Sequence, residues 1–345
     1  MKRTALALLA SLGFGLLGLY LVAGPAAFRV DAYRLPTVSL PLGLLIAAAA
    51  GSYWLVPALR LQTLCAVQGH RLPFGTGLLI HLAGLFGAVV TPGGSGGAPA
   101  IAAALRRVGL PLGTGVALAV QVTVLDLVFF AWALPSSLAY LLWSGATALT
   151  ADLVALALVS MAAAIAATIV LGRYPRLAVR LFLWLARRRA LTPLRRRLVT
   201  GARAYYRSSR LFGTMRFSTW IALQALGALG WLGMFVLFWS LVRVFQPFGF
   251  LTTVASLTIV TLVAFIVPTP GGSGFIEVAV GYGIGAELGS ADPVTPPLLL
   301  WRLATFYLIF LLGPLASWLL VAGGFGRVSA GRRPRPKQDR PRHAS

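Results

Sequence analysis

A six-residue segment that could bind an anion occurs twice in this sequence. Residues 91–96 read Thr-Pro-Gly-Gly-Ser-Gly, and residues 269–274 repeat them without change. Proline ends the incoming helix and removes a backbone donor, whereas glycine allows positive φ and a close approach of a ligand to the backbone. The serine can cap the following helix. Free N–H groups at a helix N-terminus favour phosphate or carboxylate, so the repeat predicts an anion site.

We interpret the two copies as the two halves of one substrate-binding site. An identical hexapeptide in two comparable contexts is not expected by chance, although a tight turn that only packs two helices is the alternative. Neither copy continues into Gly-Lys-Ser/Thr, so neither is a P-loop. The predicted binding residues are Thr91, Gly93, Gly94, Ser95 and Gly96 in the first copy, Thr269, Gly271, Gly272, Ser273 and Gly274 in the second, and Arg302.

Three ionisable residues lie within apolar segments, where burial costs roughly 2.5–3.5 kcal/mol. They are Asp126, Glu277, which follows the second loop by three residues, and Arg302. We expect Asp126 and Glu277 either to pair with Arg302 or Arg107, or to carry a proton and gate a transport cycle. The alternatives are structural ion pairs and, for Arg302, a side chain that snorkels to the interface. Weaker candidates are His81, Gln121 and Gln224.

Several classes of function find no support in the residues. Cys65 is the only cysteine and there are three histidines, so a disulfide within the chain is excluded and a metalloenzyme is not expected. No Ser/His/Asp set or pair of catalytic carboxylates is found, and we predict no enzyme activity, metal or cofactor. The net charge of +23 is spread between hydrophobic segments rather than over one face, which argues against nucleic-acid binding.

The composition predicts a membrane protein. Of the 345 residues, 58% are hydrophobic and 11% charged, whereas a soluble domain carries about a quarter charged residues. We therefore predict an all-α, polytopic membrane helix bundle. The six expected full spans lie near 4–24, 38–59, 111–134, 150–171, 217–243 and 296–322.

Two further apolar segments, near 74–106 and 250–290, are interrupted by the repeated loop. The apolar runs beside each loop are shorter than the roughly 20 residues that a crossing needs. We interpret both segments as re-entrant helical hairpins. Three full spans separate the loops, so the halves near 38–171 and 217–322 are expected to form an inverted repeat, as in alternating-access transporters.

The basic residues predict the orientation. Under the positive-inside rule, they place both termini in the cytoplasm of a multi-pass cell-membrane protein. Reading the interrupted segments as full spans would move an arginine-rich loop, 173–216, to the outside, which argues against that alternative. We expect this loop to form an amphipathic helix on the cytoplasmic leaflet, or to serve only as a topology anchor. The segment 4–24 is expected to be a retained helix rather than a signal peptide, and 326–345 a disordered basic tail.

Several segments in a fixed order resemble one known family. Residues 86–100, around the first loop, are similar to the hallmark segment of the lysylphosphatidylglycerol synthase membrane domain, also called the flippase-like family. Residues 106–109, 126–130, 268–277 and 301–307 resemble its other signatures. The likeness covers about 5–325 and implies a single transmembrane domain over about 1–325.

The resemblance implies movement of lipids, or of lipid-linked groups, between leaflets. The namesake enzymes carry a cytosolic aminoacyl-transferase domain, for which we find no room in this sequence, so the synthase activity is not expected here. We predict a translocase that binds an anionic phospholipid or lipid-linked headgroup between the two loops. The alternative is a non-catalytic scaffold for a separately encoded lipid-modifying or glycosyl-transferring enzyme. A homo-oligomer is left open.

Overall fold

The computed structural model describes residues 37–145, 195–287, 294–323 and 328–330, with isolated helical positions between 13 and 21, 154 and 166, and 176 and 184. Helices form almost all of this part, joined by two short strands, β1 (His70–Arg71) and β2 (Ser329–Ala330). The helices are α1 (Leu40–Val67), α2 (Phe74–Val89), α3 (Gly97–Arg107), α4 (Leu112–Ser144), α5 (Arg195–Gly213), α6 (Phe217–Phe245), α7 (Phe250–Ala264), α8 (Phe275–Glu287) and α9 (Thr295–Ala322), the last with a π-helical turn at Leu303–Tyr307.

Within the described residues, four helices are long and apolar enough to cross a membrane: α1, α4, α6 and α9. They correspond to the spans predicted near 38–59, 111–134, 217–243 and 296–322, which confirms the all-α membrane helix bundle. The two remaining predicted spans, near 4–24 and 150–171, fall largely outside the described residues, as do the basic tail and most of 173–194.

Two predicted helix ends were wrong, each by more than a turn. The span predicted near 38–59 stops before Arg60, but α1 continues to Val67. Arg60 is only 5% exposed and forms an ion pair, so it lies inside the helix bundle rather than in a loop after the span. Helix α4 likewise continues through Pro135 to Ser144 and ends at Gly145, whose φ of 67° is a left-handed helix terminus.

The two interrupted segments form pairs of half-length helices. Helices α2 and α3 have 16 and 11 residues, and α7 and α8 have 15 and 13. At 1.5 Å per residue, the longest reaches about 24 Å, which is less than the hydrocarbon thickness of a bilayer. Within each pair the two helices pack against each other.

The first pair is a hairpin whose two ends meet at one end of the bundle. Strand β1, just before α2, pairs antiparallel with β2. Next to β2, Val328 donates its N–H to the carbonyl of Val108, just after α3, over 3.0 Å. The chain therefore leaves along α2 and returns along α3 to the same place; whether this pair is re-entrant in a membrane stays a prediction.

Helix α5 docks at this end as well. A Cβ on Gly113, in α4, would lie 1.9 Å from the carbonyl oxygen of Gly201, so the two backbones touch. Gln121 on α4 donates to the carbonyl of Ser208 and accepts from Gln68, which follows α1. The outward face of α5 carries exposed arginines at 196, 203, 207 and 210. These basic segments share one end of the bundle, and its assignment to the cytoplasm stays a prediction.

Small residues let α1 and α6 pack closely. Gly227, Gly230 and Gly233 recur every third residue on the face of α6 that meets α1. A Cβ on Gly233 would lie 2.8 Å from the Ser52 Cβ, and one on Gly227 would lie 3.0 Å from the guanidinium carbon of Arg60. Small residues are typical of helix interfaces in membranes, and here they also make room for a buried arginine.

Candidate functional site between the two loops

The two copies of the hexapeptide contact each other. Pro92 and Pro270 form an isolated antiparallel bridge, and the Gly93 N–H donates to the Thr269 carbonyl over 3.4 Å. Residues 178 positions apart in the sequence therefore meet at equivalent points of the two loops. The sequence prediction of convergence depended on this proximity.

The contacts around the bridge are reciprocal. A Cβ on Gly93 would lie 2.9 Å from the carbonyl oxygen of Phe265, which precedes the second loop. A Cβ on Gly271 would lie 3.1 Å from the Cα of Val89, which precedes the first. The two glycines have φ of 58° and 59°. Glycine is needed here for its positive φ and for the close approach.

The backbone N–H groups of the first loop are not free to bind an anion. Gly94 and Ser95 donate to the carbonyls of Thr91 and Pro92, and Gly96 donates to the Thr91 hydroxyl over 2.7 Å. In the second loop, Gly272 and Ser273 donate to the carbonyls at 269 and 270 in the same way. The loop shape itself consumes these donors, so the predicted cradle of free N–H groups is wrong for this state.

The loops differ at their sixth residue. In the first, the Thr91 hydroxyl accepts from Gly96 and donates to a carbonyl of α2. In the second, the Glu277 carboxylate accepts from the Gly274 N–H over 2.7 Å. The Thr269 hydroxyl, buried, has no partner among the described residues. Position 99, equivalent to Glu277 in the first loop, is proline.

The serines do not cap the following helices. Ser273 is fully buried and donates to the Pro270 carbonyl over 2.7 Å, whereas Ser95 is exposed. Helix α3 has no side-chain cap at its N-terminus. Capping by these serines was therefore a wrong expectation, because the Thr91 hydroxyl and the Glu277 carboxylate accept from the N–H groups of Gly96 and Gly274 instead.

Glu277 and Arg302 form a buried ion pair behind the second loop, which confirms one of the predicted pairings. The Arg302 Nε lies 2.7 Å from the Glu277 Oε1, and the side chains are 4% and 0% exposed. The guanidinium carbon lies 4.1 Å from the ring centroid of Phe306, and that ring packs against Gly271. Arg302 is thus held inside the protein and does not snorkel.

Two donors beside this pair have no partner among the described residues. They are the Arg302 Nη2 and the hydroxyl of Tyr307, both buried. The π-helical turn at Leu303–Tyr307 starts directly after Arg302, and such turns are frequent at functional sites. Together with the Thr269 hydroxyl, these groups are the polar atoms around the loops that an oxyanion could use.

Asp126 pairs with neither Arg302 nor Arg107. Its Oδ1 accepts from Arg60 Nη1 over 2.5 Å and from the Trp231 indole N–H over 3.1 Å, while Arg107 is exposed at the end of α3. The predicted partners were wrong because α4 turns Asp126 towards α1 and α6.

Aromatic rings connect the Asp126 pair with the second loop. Trp231 lies edge-on to Phe265 with ring centroids 6.1 Å apart, and Phe130 lies 5.8 Å from the same ring. Phe265 in turn offers its carbonyl to the close contact with Gly93. Asp126, Glu277 and Arg302 are therefore each connected to the loop contact through no more than two intervening residues.

The three weaker candidates from the sequence, His81, Gln121 and Gln224, differ in whether their polar atoms have partners. Gln121 is held by Gln68 and Ser208 and has a structural role, whereas His81 Nε2 and the amide of Gln224 have no partner among the described residues. In the same part of the chain, no three His, Cys, Asp or Glu side chains are grouped to hold a metal ion.

The sequence matches one known family over most of its length. Residues 5–313 match the family described as the lysylphosphatidylglycerol synthase TM region. A UPF0104 membrane protein of Archaeoglobus fulgidus is 36% identical over 84 residues, which are 24% of this chain and 26% of that relative. The match to this relative thus spans about a quarter of its length. The family match includes both loops, Asp126, Glu277 and Arg302, and the chain belongs to the lysylphosphatidylglycerol synthase TM region family of multi-pass membrane proteins.

Proposed function

We propose that the protein moves a lipid, or a lipid-linked group, with an anionic headgroup between the leaflets of the cell membrane. The observation that carries this proposal is the contact of the two identical loops at Pro92 and Pro270, with a buried ion pair beside it. Within a membrane, irregular backbone and buried charge are costly, and they usually mark a transport pathway or a binding site.

The half-length helix pairs support a transport fold. In this proposal α2–α3 and α7–α8 are re-entrant hairpins that enter from opposite faces, so the loop contact lies near the middle of the membrane. Substrate sites of inverted-repeat transporters lie at such an interface, and rocking of one half against the other opens the site to each side in turn.

The headgroup would be recognised by side chains rather than by the loop backbone. Arg302 can offer its Nη2 to a phosphate oxygen, with the hydroxyls of Thr269 and Tyr307 as further donors. The glycines of both loops supply the shape that lets these groups converge. Glu277 competes with a phosphate for Arg302, so its release or protonation would gate binding.

Asp126 would tune the cycle from a second position through Trp231 and Phe265. The proposal includes no catalytic residue and no cofactor. Both termini, with the basic end formed by β1, β2 and α5, would face the cytoplasm, where anionic lipids attract arginine.

Lipid translocation in liposomes tests the proposal. Purified protein is reconstituted, and the movement of labelled phosphatidylglycerol, aminoacylated phosphatidylglycerol and a polyprenyl-linked sugar is followed with a reagent that quenches only the outer leaflet. We expect transport of at least one substrate, and a loss of tenfold or more in Glu277→Gln and in Arg302→Lys.

Arg107→Gln is the matched control because it removes an exposed arginine, and its rate should equal that of the wild type. Folded wild-type protein that moves none of the three lipids would refute translocation of these classes. If this inactive protein bound a separately encoded lipid-modifying enzyme to the liposome, the scaffold alternative would be favoured.

A further inference from the structure

A second set of buried polar atoms lies between α1, α2, α4 and α6. Arg60 is 5% exposed and uses Nη1 to bind Asp126. Its Nε and Nη2 are buried and have no hydrogen-bond partner among the described residues. Buried polar groups are almost always hydrogen-bonded, so two unpartnered atoms on one guanidinium require an explanation.

The chemistry of the unpartnered edge is specific. Nε–H and one N–H of Nη2 point in parallel from the guanidinium, and this fork matches the two oxygens of a carboxylate or phosphate. In Arg60, Asp126 binds Nη1, so both donors of the Nε–Nη2 edge are left for a ligand. In Arg302, by contrast, Glu277 already occupies Nε.

Further polar atoms surround Arg60. His81 on α2 has an unpartnered Nε2, and Gln224 on α6 has an unpartnered amide, counting the described residues. Gln224 lies three residues before Gly227, whose missing side chain gives the guanidinium its place, so both are on one face of α6. His81 is near enough to interact electrostatically with Arg60 and Asp126.

We propose that Arg60 is a second oxyanion site, in which its Nε–Nη2 edge binds a phosphate or carboxylate and His81 and Gln224 contribute hydrogen bonds. The Asp126 carboxylate on Nη1, with its side chain 25% exposed, neutralises the same guanidinium and repels a second anion. The oxyanion can belong to a lipid headgroup or be free phosphate. This binding does not depend on whether the protein transports lipid.

Binding to the purified full chain in detergent tests the site. Calorimetric titrations with short-chain phosphatidylglycerol and with inorganic phosphate are compared with short-chain diacylglycerol, which lacks the oxyanion. Arg60→Lys keeps the charge but loses the fork, and we expect it to weaken binding about tenfold or more. Asp126→Asn removes the negative charge that repels a bound anion, and we expect it to strengthen binding severalfold, an increase that a structural role would not produce.

All titrations are repeated in a Glu277→Gln, Arg302→Gln background, so that the remaining binding reports on Arg60 alone. Arg60→Gln combined with Asp126→Asn removes both charges, leaves no unpaired ion and should fold but not bind, as checked by size-exclusion chromatography and circular dichroism. Binding of phosphatidylglycerol alone assigns a lipid headgroup, and binding of both ligands assigns the oxyanion itself. Absence of binding in the background, or weaker binding in Asp126→Asn, overturns the proposal and leaves the loop site untouched.

Discussion

Removing one charge of the Glu277–Arg302 pair should destabilise the protein more than removing both. The Glu277 carboxylate is fully buried and accepts from Arg302 and from the N–H of Gly274, each over 2.7 Å. Glu277→Gln leaves the guanidinium without a counter-ion, and an uncompensated buried charge costs about 3–5 kcal/mol. Because the glutamine oxygen can still accept one of the two hydrogen bonds, we expect the lower end of that range.

The double variant Glu277→Gln, Arg302→Met removes the unpaired charge. Replacing a buried ion pair by neutral groups of similar volume is often neutral or stabilising. The contact of Arg302 with the Phe306 ring is also lost, which costs up to about 2 kcal/mol. We therefore expect the double variant to be more stable than Glu277→Gln alone, and the two substitutions to be strongly non-additive.

Thermal unfolding in detergent, followed by tryptophan fluorescence, measures the effect. At about 2.1 cal/mol/K per residue, the unfolding entropy of 345 residues is about 0.7 kcal/mol/K, so a loss of about 3 kcal/mol corresponds to a fall in Tm of roughly 4 °C. Arg107→Gln, an exposed arginine, should leave Tm unchanged. The reasoning fails if Glu277→Gln melts with the wild type, or if the double variant melts below Glu277→Gln.

Three further predictions concern packing and access. Gly271→Ala should lower Tm by several degrees, because its φ is 59° and its Cβ would lie 2.7 Å from a ring carbon of Phe306. Gly69→Ala is the control and should lower Tm less, because its φ is 77° but nothing lies within 4 Å of its Cβ. Equal losses would contradict the close packing of the loops. In a background without the native cysteine, Ser95→Cys should react with a small maleimide at least tenfold faster than Ser273→Cys, since only the latter side chain is fully buried; equal rates would contradict this burial. Gly113→Val should displace α5 and increase its cleavage by protease severalfold, and an unchanged digestion pattern would show that the contact is not required.

The meeting of the loops could be predicted from the sequence. The identical hexapeptides stand in equivalent places, each between two short apolar runs, and symmetry then requires them to occupy equivalent positions around one axis. The pairing of Glu277 with Arg302 was also accessible, because few charges lie within apolar segments and each needs a partner.

The partner of Asp126 could not be predicted in the same way. The sequence offers Arg60 as a plausible end of a span, and only the packing of α1 on the glycines of α6 shows that the helix continues and buries it. The sequence also could not show that the loop N–H groups are already hydrogen-bonded within the protein. Whether a glycine-rich turn exposes its donors or consumes them depends on dihedral angles and on a single hydroxyl, Thr91, which the composition does not reveal.

The near-identity of the two turns has a consequence for energy. Under the proposed function, equal halves would give inward-open and outward-open forms that are related by a two-fold axis and have the same free energy, so neither would dominate at rest. The halves differ where one has Glu277 and the other Pro99. A carboxylate bound to its own turn on one side only would then favour one resting conformation over the other.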